Sequence, residues 1–223
     1  MEAGQNLDDV VVPTGRHGLP ADVVADHQRE RILAAMIALT GTRGYGATTV
    51  LAIGKAAKVG PHAFYAHFSD KEECFLAALS RVVSDTRDEL TRQVPAESSW
   101  AEQICDGLRT LVGLIVAEPE RARVVLVEAQ GAGRAAYRLY EEAMDEAVPK
   151  LAEGRGLRAK GAPALSAATE EATLTGVAWL LQRMVSGGEE AEPTDTLRAA
   201  ARVALAPYLG EAEATKIAGR LKS

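Results

Sequence analysis

Apolar side chains recur along this chain at the three- and four-residue spacing that is typical of amphipathic helices. The first apolar face consists of Ile32, Ala35, Met36 and Leu39. The spacing predicts a helix that begins near Asp26 and ends at Gly44, where glycine permits the left-handed residue that stops many helices. Tyr45 is then expected to pack back against the helix end.

Two short helices are predicted to follow. Thr48 or Thr49 can cap the first, and Pro61 suits the first position of the second. Between them, residues 58–60 form a break of three residues, which is the spacing of a helix-turn-helix. Ser69 and Glu72 then form a capping-box pattern that opens a long fourth helix, ending near Pro95.

The remainder of the chain is predicted to be helical as well. Turn-forming residues separate segments with helical character at about 99–117, 119–131, 133–153, 166–186 and 194–207, with a short last helix from Glu211. Aromatic residues make up only 4% of the 223 residues, and alanine is abundant, which favours helices over strands. The expected fold class is all-α.

Composition also bounds the compartment. Cys74 and Cys105 lack the spacing of a metal site and are too few to hold together a secreted scaffold. The first residues do not resemble a signal peptide, and no apolar stretch reaches membrane-spanning length. We therefore expect a cytoplasmic protein with no membrane partner.

Charge is distributed unevenly along the chain. Residues 27–68 contain five basic side chains and one acidic one, a formal +4, whereas the whole chain carries −6 and the remainder therefore −10. A basic segment on an acidic body suits a DNA-binding module, because the body repels DNA elsewhere.

The segment 48–68 carries the most specific motif. Its Thr48-Thr49 pair, Ile53, paired alanines, Val59, Phe64-Tyr65 and Phe68, with Lys71 beyond, resemble the signature of the TetR family of transcriptional regulators. The resemblance covers about residues 27–80. It implies a three-helix helix-turn-helix DNA-binding domain over 19–70 and a helical ligand-sensing and dimerisation bundle over 71–223. Residues 1–18, which are rich in Gly, Asp, Val and Pro and show no periodicity, are expected to form a flexible arm. Whether Arg16 and His17 in the arm touch DNA is left open.

The resemblance also implies the DNA contacts. The first turn of the recognition helix, Pro61-His62-Ala63, is expected to face base edges, with His62 as its hydrogen-bonding side chain. Other positions are expected to hold phosphates, and for His67 a structural role stays open. The predicted DNA-binding set is Thr48, Thr49, Lys58, Gly60, Pro61, His62, Ala63, Tyr65, His67 and Lys71.

Three positions depart from the family's pattern. Lys58 stands where a turn glycine is common, and a left-handed conformation there costs about 1 kcal/mol. Gly54 replaces the usual alanine, which weakens the second helix unless close packing requires the missing methyl group. Gly60 replaces the usual Ser or Thr cap and so lacks a side-chain acceptor.

For the C-terminal bundle the resemblance implies an effector site and a homodimer that binds a palindromic operator. Ligand pockets are mostly apolar, so a lipophilic effector is expected. Candidate pocket residues, for each of which plain core packing is an alternative, are Trp100, Leu108, Leu111, Leu126, Tyr137, Tyr140, Met144 and Trp179. The dimer surface is predicted on the helices at about 166–186 and 194–207. Its stripe on the first of them is Leu174, Val177, Leu181 and Val185, for which packing in the chain's own core is the alternative.

The favoured function is a repressor that a small molecule releases from DNA, although activation would use the same contacts. The alternative is a helical protein-interaction module that has lost specific DNA binding. No catalytic grouping, cofactor motif or metal cluster stands out, so we expect no enzyme. His62 and His67 diverge by about 140° around a helix and do not form a metal pair.

Overall fold

A computed structural model describes residues 21–187 and 192–222. The predicted N-terminal arm, with Arg16 and His17, lies outside the described residues. The α-helices, in chain order, are α1 (Ala21–Arg43), α2 (Val50–Ala57), α3 (Pro61–His67), α4 (Lys71–Gln93), α5 (Trp100–Ala117), α6 (Pro119–Arg123), α7 (Ala129–Gly131), α8 (Arg134–Asp145), α9 (Val148–Ala152), α10 (Thr169–Val185), α11 (Pro193–Leu209) and α12 (Glu211–Ala218). A π-helical segment, Val124–Glu128, joins α6 to α7, and a 3₁₀ segment, Glu153–Leu157, follows α9.

The helices surround two apolar cores. The N-terminal core joins α1, α2, α3 and the first half of α4, and its centre is aromatic, with Phe64 and Phe75 fully buried. Burial of such a ring contributes about 1.5–3 kcal/mol. Because α4 also reaches the C-terminal bundle, it belongs to both units. The domain boundary at residue 70 therefore remains a prediction.

The C-terminal core lies between α5, α10, α11 and α12. Small side chains on α11 allow its neighbours to approach closely. At one end the rings of Trp100 and Tyr208 meet edge to face, with centroids 5.1 Å apart, and the Trp100 Nε1–H donates to the Lys150 carbonyl at 2.7 Å. Gly154 lies against both rings, and a Cβ there would be 2.5 Å from Trp100 Cζ2.

A buried carboxylate joins three elements of this bundle. Glu170 at the start of α10 accepts hydrogen bonds from Arg155 Nε at 2.8 Å and from Tyr208 Oη at 3.0 Å. Its side chain is only 5% exposed. Hydrogen bonding from Arg155 holds the pKa of Glu170 below its ordinary value. Burial, together with the bond to Glu170, raises the pKa of Tyr208. The pairing satisfies a charge that would otherwise be costly to bury.

The helix ends mostly follow the sequence rules, with one correction. Gly44 has a φ of +86° after α1, as predicted. The expected capping box of Ser69 and Glu72 is wrong: Asp70 caps α4 by accepting from the Glu73 N–H at 2.8 Å, and Glu73 accepts from the Ser69 N–H. Several polar residues in this segment can cap a helix, and the cap lies one residue later than the sequence pattern predicts.

Other helix predictions differ in extent. Helix α1 begins at Ala21 rather than near Asp26. The region 133–153 is divided at residues 146–147, where Pro149 opens the short helix α9. The region 119–131 is continuous but contains the π-helical turn, and a π-helix has no distinctive spacing of apolar residues. Both cysteines are buried, and none of the described helices is long and apolar enough to cross a membrane.

Candidate nucleic-acid interface and effector cavity

Helices α2 and α3 form a helix-turn-helix whose turn is tight. Lys58 adopts the left-handed conformation, with φ 54° and ψ 44°, and the Val59 N–H donates to the Gly54 carbonyl at 2.9 Å. A Cβ on Gly54 would lie 3.1 Å from the Val59 carbonyl oxygen, which explains the absence of a methyl group there. Lys58 thus adopts the left-handed conformation expected from its position. The glycine of this turn is Gly54, which is required for close packing and not for a left-handed backbone.

Helix α3 has one buried and one exposed face. Phe64 faces the N-terminal core and is fully buried, whereas Pro61, His62 and Tyr65 are exposed, Tyr65 to 58%. Gly60 has no side chain to cap α3, so the first N–H groups of the helix remain available to donate to another acceptor. The surface formed by α3 and the exposed side of α2 is called the α3 surface below.

The residues predicted to bind phosphates differ in exposure. Thr49 is exposed and caps α2 by accepting from the Ala52 N–H at 3.2 Å, and Lys58 is exposed at the turn. Thr48 is corrected: its side chain is buried and its hydroxyl donates to the Gly44 carbonyl at 2.9 Å. Lys71 Nζ donates to the Tyr45 carbonyl at 3.0 Å, and His67 is half-buried beside Phe68. Both therefore have internal contacts.

Two exposed side chains on α2 were missed. Leu51 is 78% exposed, and Lys55 lies one helical turn further on the same side. The signal was present in the sequence, because neither position belongs to the apolar stripe of Ile53 and Ala57. An exposed leucine beside a cation suits a surface that meets both thymine methyl groups and phosphates.

A cavity of about 660 Å³ lies between α4, α5, α8, α10 and the π-helical segment. Its walls are mainly apolar, and four of the eight predicted pocket residues line it: Leu111, Leu126, Tyr140 and Met144. The sequence missed the contribution of α4, which supplies Val83, Thr86 and Leu90. These residues lie in the C-terminal half of α4.

The other four pocket candidates are corrected. Trp100 and Leu108 belong to the C-terminal core, where they pack against α11 rather than line the cavity. Tyr137 is exposed, with its ring centroid 6.3 Å from that of Tyr140. Trp179 is 55% exposed, and the Arg183 guanidinium lies over its ring at 4.8 Å.

The predicted dimer stripe is also corrected. Leu174, Val177 and Leu181 line the cavity, and Val185 packs against the C-terminal core. The exposed apolar residues of this region are instead Trp179 on α10 and Val203 on α11. Gly176 lies between these helices, since a Cβ there would meet Val203 Cγ1 at 3.3 Å. The helix pair stays a prediction, whereas the predicted stripe on α10 lines the cavity instead of the outer surface.

One π-helical turn connects the cavity with the helix-turn-helix. Val125 and Leu126 line the cavity, and Glu128 accepts from the Tyr45 N–H at 2.8 Å and pairs with Arg123 at 3.3 Å. Tyr45 precedes α2 and packs on Phe75 of α4, with ring centroids 4.7 Å apart. Only two positions along the chain thus separate Leu126, in the cavity wall, from Glu128, which holds the segment before α2.

Comparison with known proteins agrees with this arrangement. Residues 32–78 match the family model described as "Bacterial regulatory proteins, tetR family". The HTH-type transcriptional regulator HbdR of Aromatoleum sp. (strain CIB) is 26% identical over 95 residues, which are 43% of this chain and 42% of HbdR. The chain therefore aligns with less than half the length of that relative.

Solved structures match over most of the chain. The fatty acid degradation regulator FadR of Bacillus halodurans superposes with a TM-score of 0.68 at 15% identity, covering 81% of this chain and 94% of that one. FadR of Bacillus subtilis, solved in complex with stearoyl-CoA, gives 0.66 at 16%, covering 81% and 98%. At this identity the likeness shows the fold. Residues 32–78 thus match the tetR family, and the described residues of the chain have the fold of these two regulators.

Proposed function

We propose that this protein is a DNA-binding transcriptional regulator, a homodimeric repressor that a small molecule releases from a palindromic operator. The observation that carries the proposal is the α3 surface, whose recognition-helix side chains are exposed while Phe64 anchors the helix from behind. The family match over residues 32–78 supports the same function. Binding to operator DNA would take place in the cytoplasm.

Within this proposal the exposed residues divide by role. His62, with Pro61 and Ala63 beside it, reads base edges in the major groove, because it is the one side chain of that turn with hydrogen-bonding groups. Tyr65, Thr49 and Lys58 hold phosphates and so fix the register without reading sequence. The internal contacts of Lys71 and His67 give these two residues a supporting role behind the DNA-facing surface.

A titration of purified protein with DNA that flanks its own coding region, at several salt concentrations, tests the proposal. We expect His62→Ala to lose about 1–3 kcal/mol of specific binding and to relax base preference at one position. Tyr65→Phe removes one hydroxyl bond to a charged phosphate and should lower affinity at least about tenfold for every sequence. Lys216→Ala, an exposed lysine on α12, is the control. Equal affinity for random duplex at all salt concentrations would favour the protein-interaction alternative.

The homodimer is proposed to form through the outer side of α10 and α11. Trp179 and Val203 are exposed large apolar residues on neighbouring helices, which Gly176 allows to pack closely against each other within the chain. Aromatic side chains of this kind often anchor interfaces. The isologous pairing of such a surface gives the twofold symmetry that a palindromic operator requires.

Trp179→Glu is expected to convert the dimer to a monomer, because the exposed ring is replaced by a charge that the interface would have to desolvate. Light scattering coupled to gel filtration measures the mass directly. Val116→Glu on α5 is the matched control, since Val116 is 58% exposed and distant in the chain from this helix pair. A Trp179→Glu protein that still elutes as a dimer would move the interface elsewhere.

Effector release is proposed to act through the π-helical turn. A ligand that contacts Val125 and Leu126 shifts the segment whose Glu128 holds the Tyr45 N–H, and so favours one placement of α2 and α3 over another. Only a ligand with different affinity for the two placements changes their populations.

A further inference from the structure

Most of the polar groups that line the effector cavity already have partners within the protein. Thr86 and Thr91 donate their hydroxyls to the Val82 and Arg87 carbonyls of their own helix, at 2.8 and 2.9 Å. Tyr140 differs from them: it lines the cavity, it is half-buried, and its hydroxyl makes no hydrogen bond to the residues that the structure describes. A tyrosine hydroxyl without a protein partner can donate one hydrogen bond to a ligand.

The cations at the cavity are already paired. Arg87 makes two hydrogen bonds to Glu146, and Arg92 pairs with Glu89. Arg121 pairs with both Asp85 and Glu118. An anionic ligand would have to displace one of these carboxylates before it gained a partner of its own.

The remaining balance of charge also disfavours an anion. The lining contains three arginines and five carboxylates, Asp85, Asp88, Glu89, Glu118 and Glu146, and therefore carries a formal −2. These groups lie on α4, at the start of α6 and at the end of α8, and the paired ones are partly exposed to solvent. A carboxylate or a phosphate that approached would meet net repulsion and, inside, walls that offer no counter-charge.

We propose that the effector is an uncharged, mainly apolar molecule with one carbonyl oxygen that accepts a hydrogen bond from Tyr140, and that fatty-acid anions and acyl-coenzyme A thioesters are poor ligands. The inference deepens the proposed function and rests on it, because only that function makes the ligand of this cavity an effector. It also separates this chain from the FadR protein solved with stearoyl-CoA, whose fold it shares at 16% identity.

The test uses four probes with a common chain length: methyl decanoate, decanoate, decanoyl-coenzyme A and decane. Isothermal titration calorimetry of the full chain without DNA should give the tightest binding for methyl decanoate and at least tenfold weaker binding for both anions. Tyr140→Phe should lower the affinity for methyl decanoate about fivefold, because one neutral hydrogen bond is lost, and should leave the affinity for decane unchanged. A thermal melt of the variant reports whether its fold is intact.

A second variant tests the charge argument from the opposite side. Glu146→Gln frees Arg87, so affinity for decanoate should rise while affinity for methyl decanoate stays the same. The proposal is overturned if decanoyl-coenzyme A binds as tightly as the ester, if the ester does not bind, or if Tyr140→Phe weakens decane and the ester equally. No DNA is present, so failure here is distinguishable from failure of the operator titration.

Discussion

Replacing Gly41 by alanine is expected to destabilise the chain by about 3 kcal/mol, at the upper end for overpacking a core. Gly41 is buried in the last turns of α1, where α6 crosses it. A Cβ there would lie 2.5 Å from the Glu120 carbonyl oxygen and 2.6 Å from the Glu120 Cα. Because these are backbone atoms, no side-chain rotation relieves the contact, and the two helices have to separate.

Equilibrium unfolding in urea measures the effect. Gly113→Ala is a matched control: it is also a helical glycine, but a Cβ there meets nothing within 4 Å. That variant should gain about 0.5–1 kcal/mol from reduced backbone entropy of the unfolded chain. If Gly41→Ala unfolds at the wild-type urea concentration, α1 and α6 do not cross as closely as described.

Glu170→Gln is expected to lower the free energy of unfolding at neutral pH by about 2 kcal/mol, since a buried carboxylate that accepts from Arg155 and Tyr208 is lost. The glutamine amide has the same volume, but its NH₂ group would face the Arg155 and Tyr208 donors without an acceptor. Glu171→Gln, the exposed neighbour, serves as the control and should change stability little.

The same variant carries a pH signature. Arg155 holds the folded-state pKa of Glu170 below its ordinary value of 4.5. A lowered folded pKa stabilises the native chain above the unfolded-state pKa, and the contribution is lost as pH falls through the folded value. The difference between wild type and Glu170→Gln should therefore be constant near neutrality and shrink below about pH 4.5. A difference that does not change down to pH 2 would show that the charge of Glu170 has no part in it.

The N-terminal unit was predicted well because its signals are local. Gly44, the Thr49 cap and the Gly60-Pro61 step each act on backbone within a few residues, and a short helix-turn-helix leaves few ways to arrange them. The apolar stripes of α1 and α2 then determine which sides face Phe64 and Phe75. Besides the capping box of α4 and the start of α1, Thr48 was predicted wrongly, since only packing reveals which of two adjacent hydroxyls is buried.

The bundle was predicted less well because its helices are apolar on more than one side. Leu174, Val177 and Leu181 form a correct stripe, but a stripe does not say whether it meets a second copy of the chain or an interior cavity. Trp100 and Trp179 look alike in sequence, yet one is buried against Tyr208 and the other is 55% exposed. Burial of this kind depends on contacts between distant segments.

By itself, then, the sequence determined the all-helical class, the helix-turn-helix and the residues that its recognition helix presents, because periodicity and caps act over three to five residues. Only the tertiary structure decided the cavity and its paired arginines, the outer face of α10, and the contact of Glu128 with Tyr45 across 83 positions of chain. Those features arise where separate helices meet, and no local spacing encodes which sides of them will be brought together.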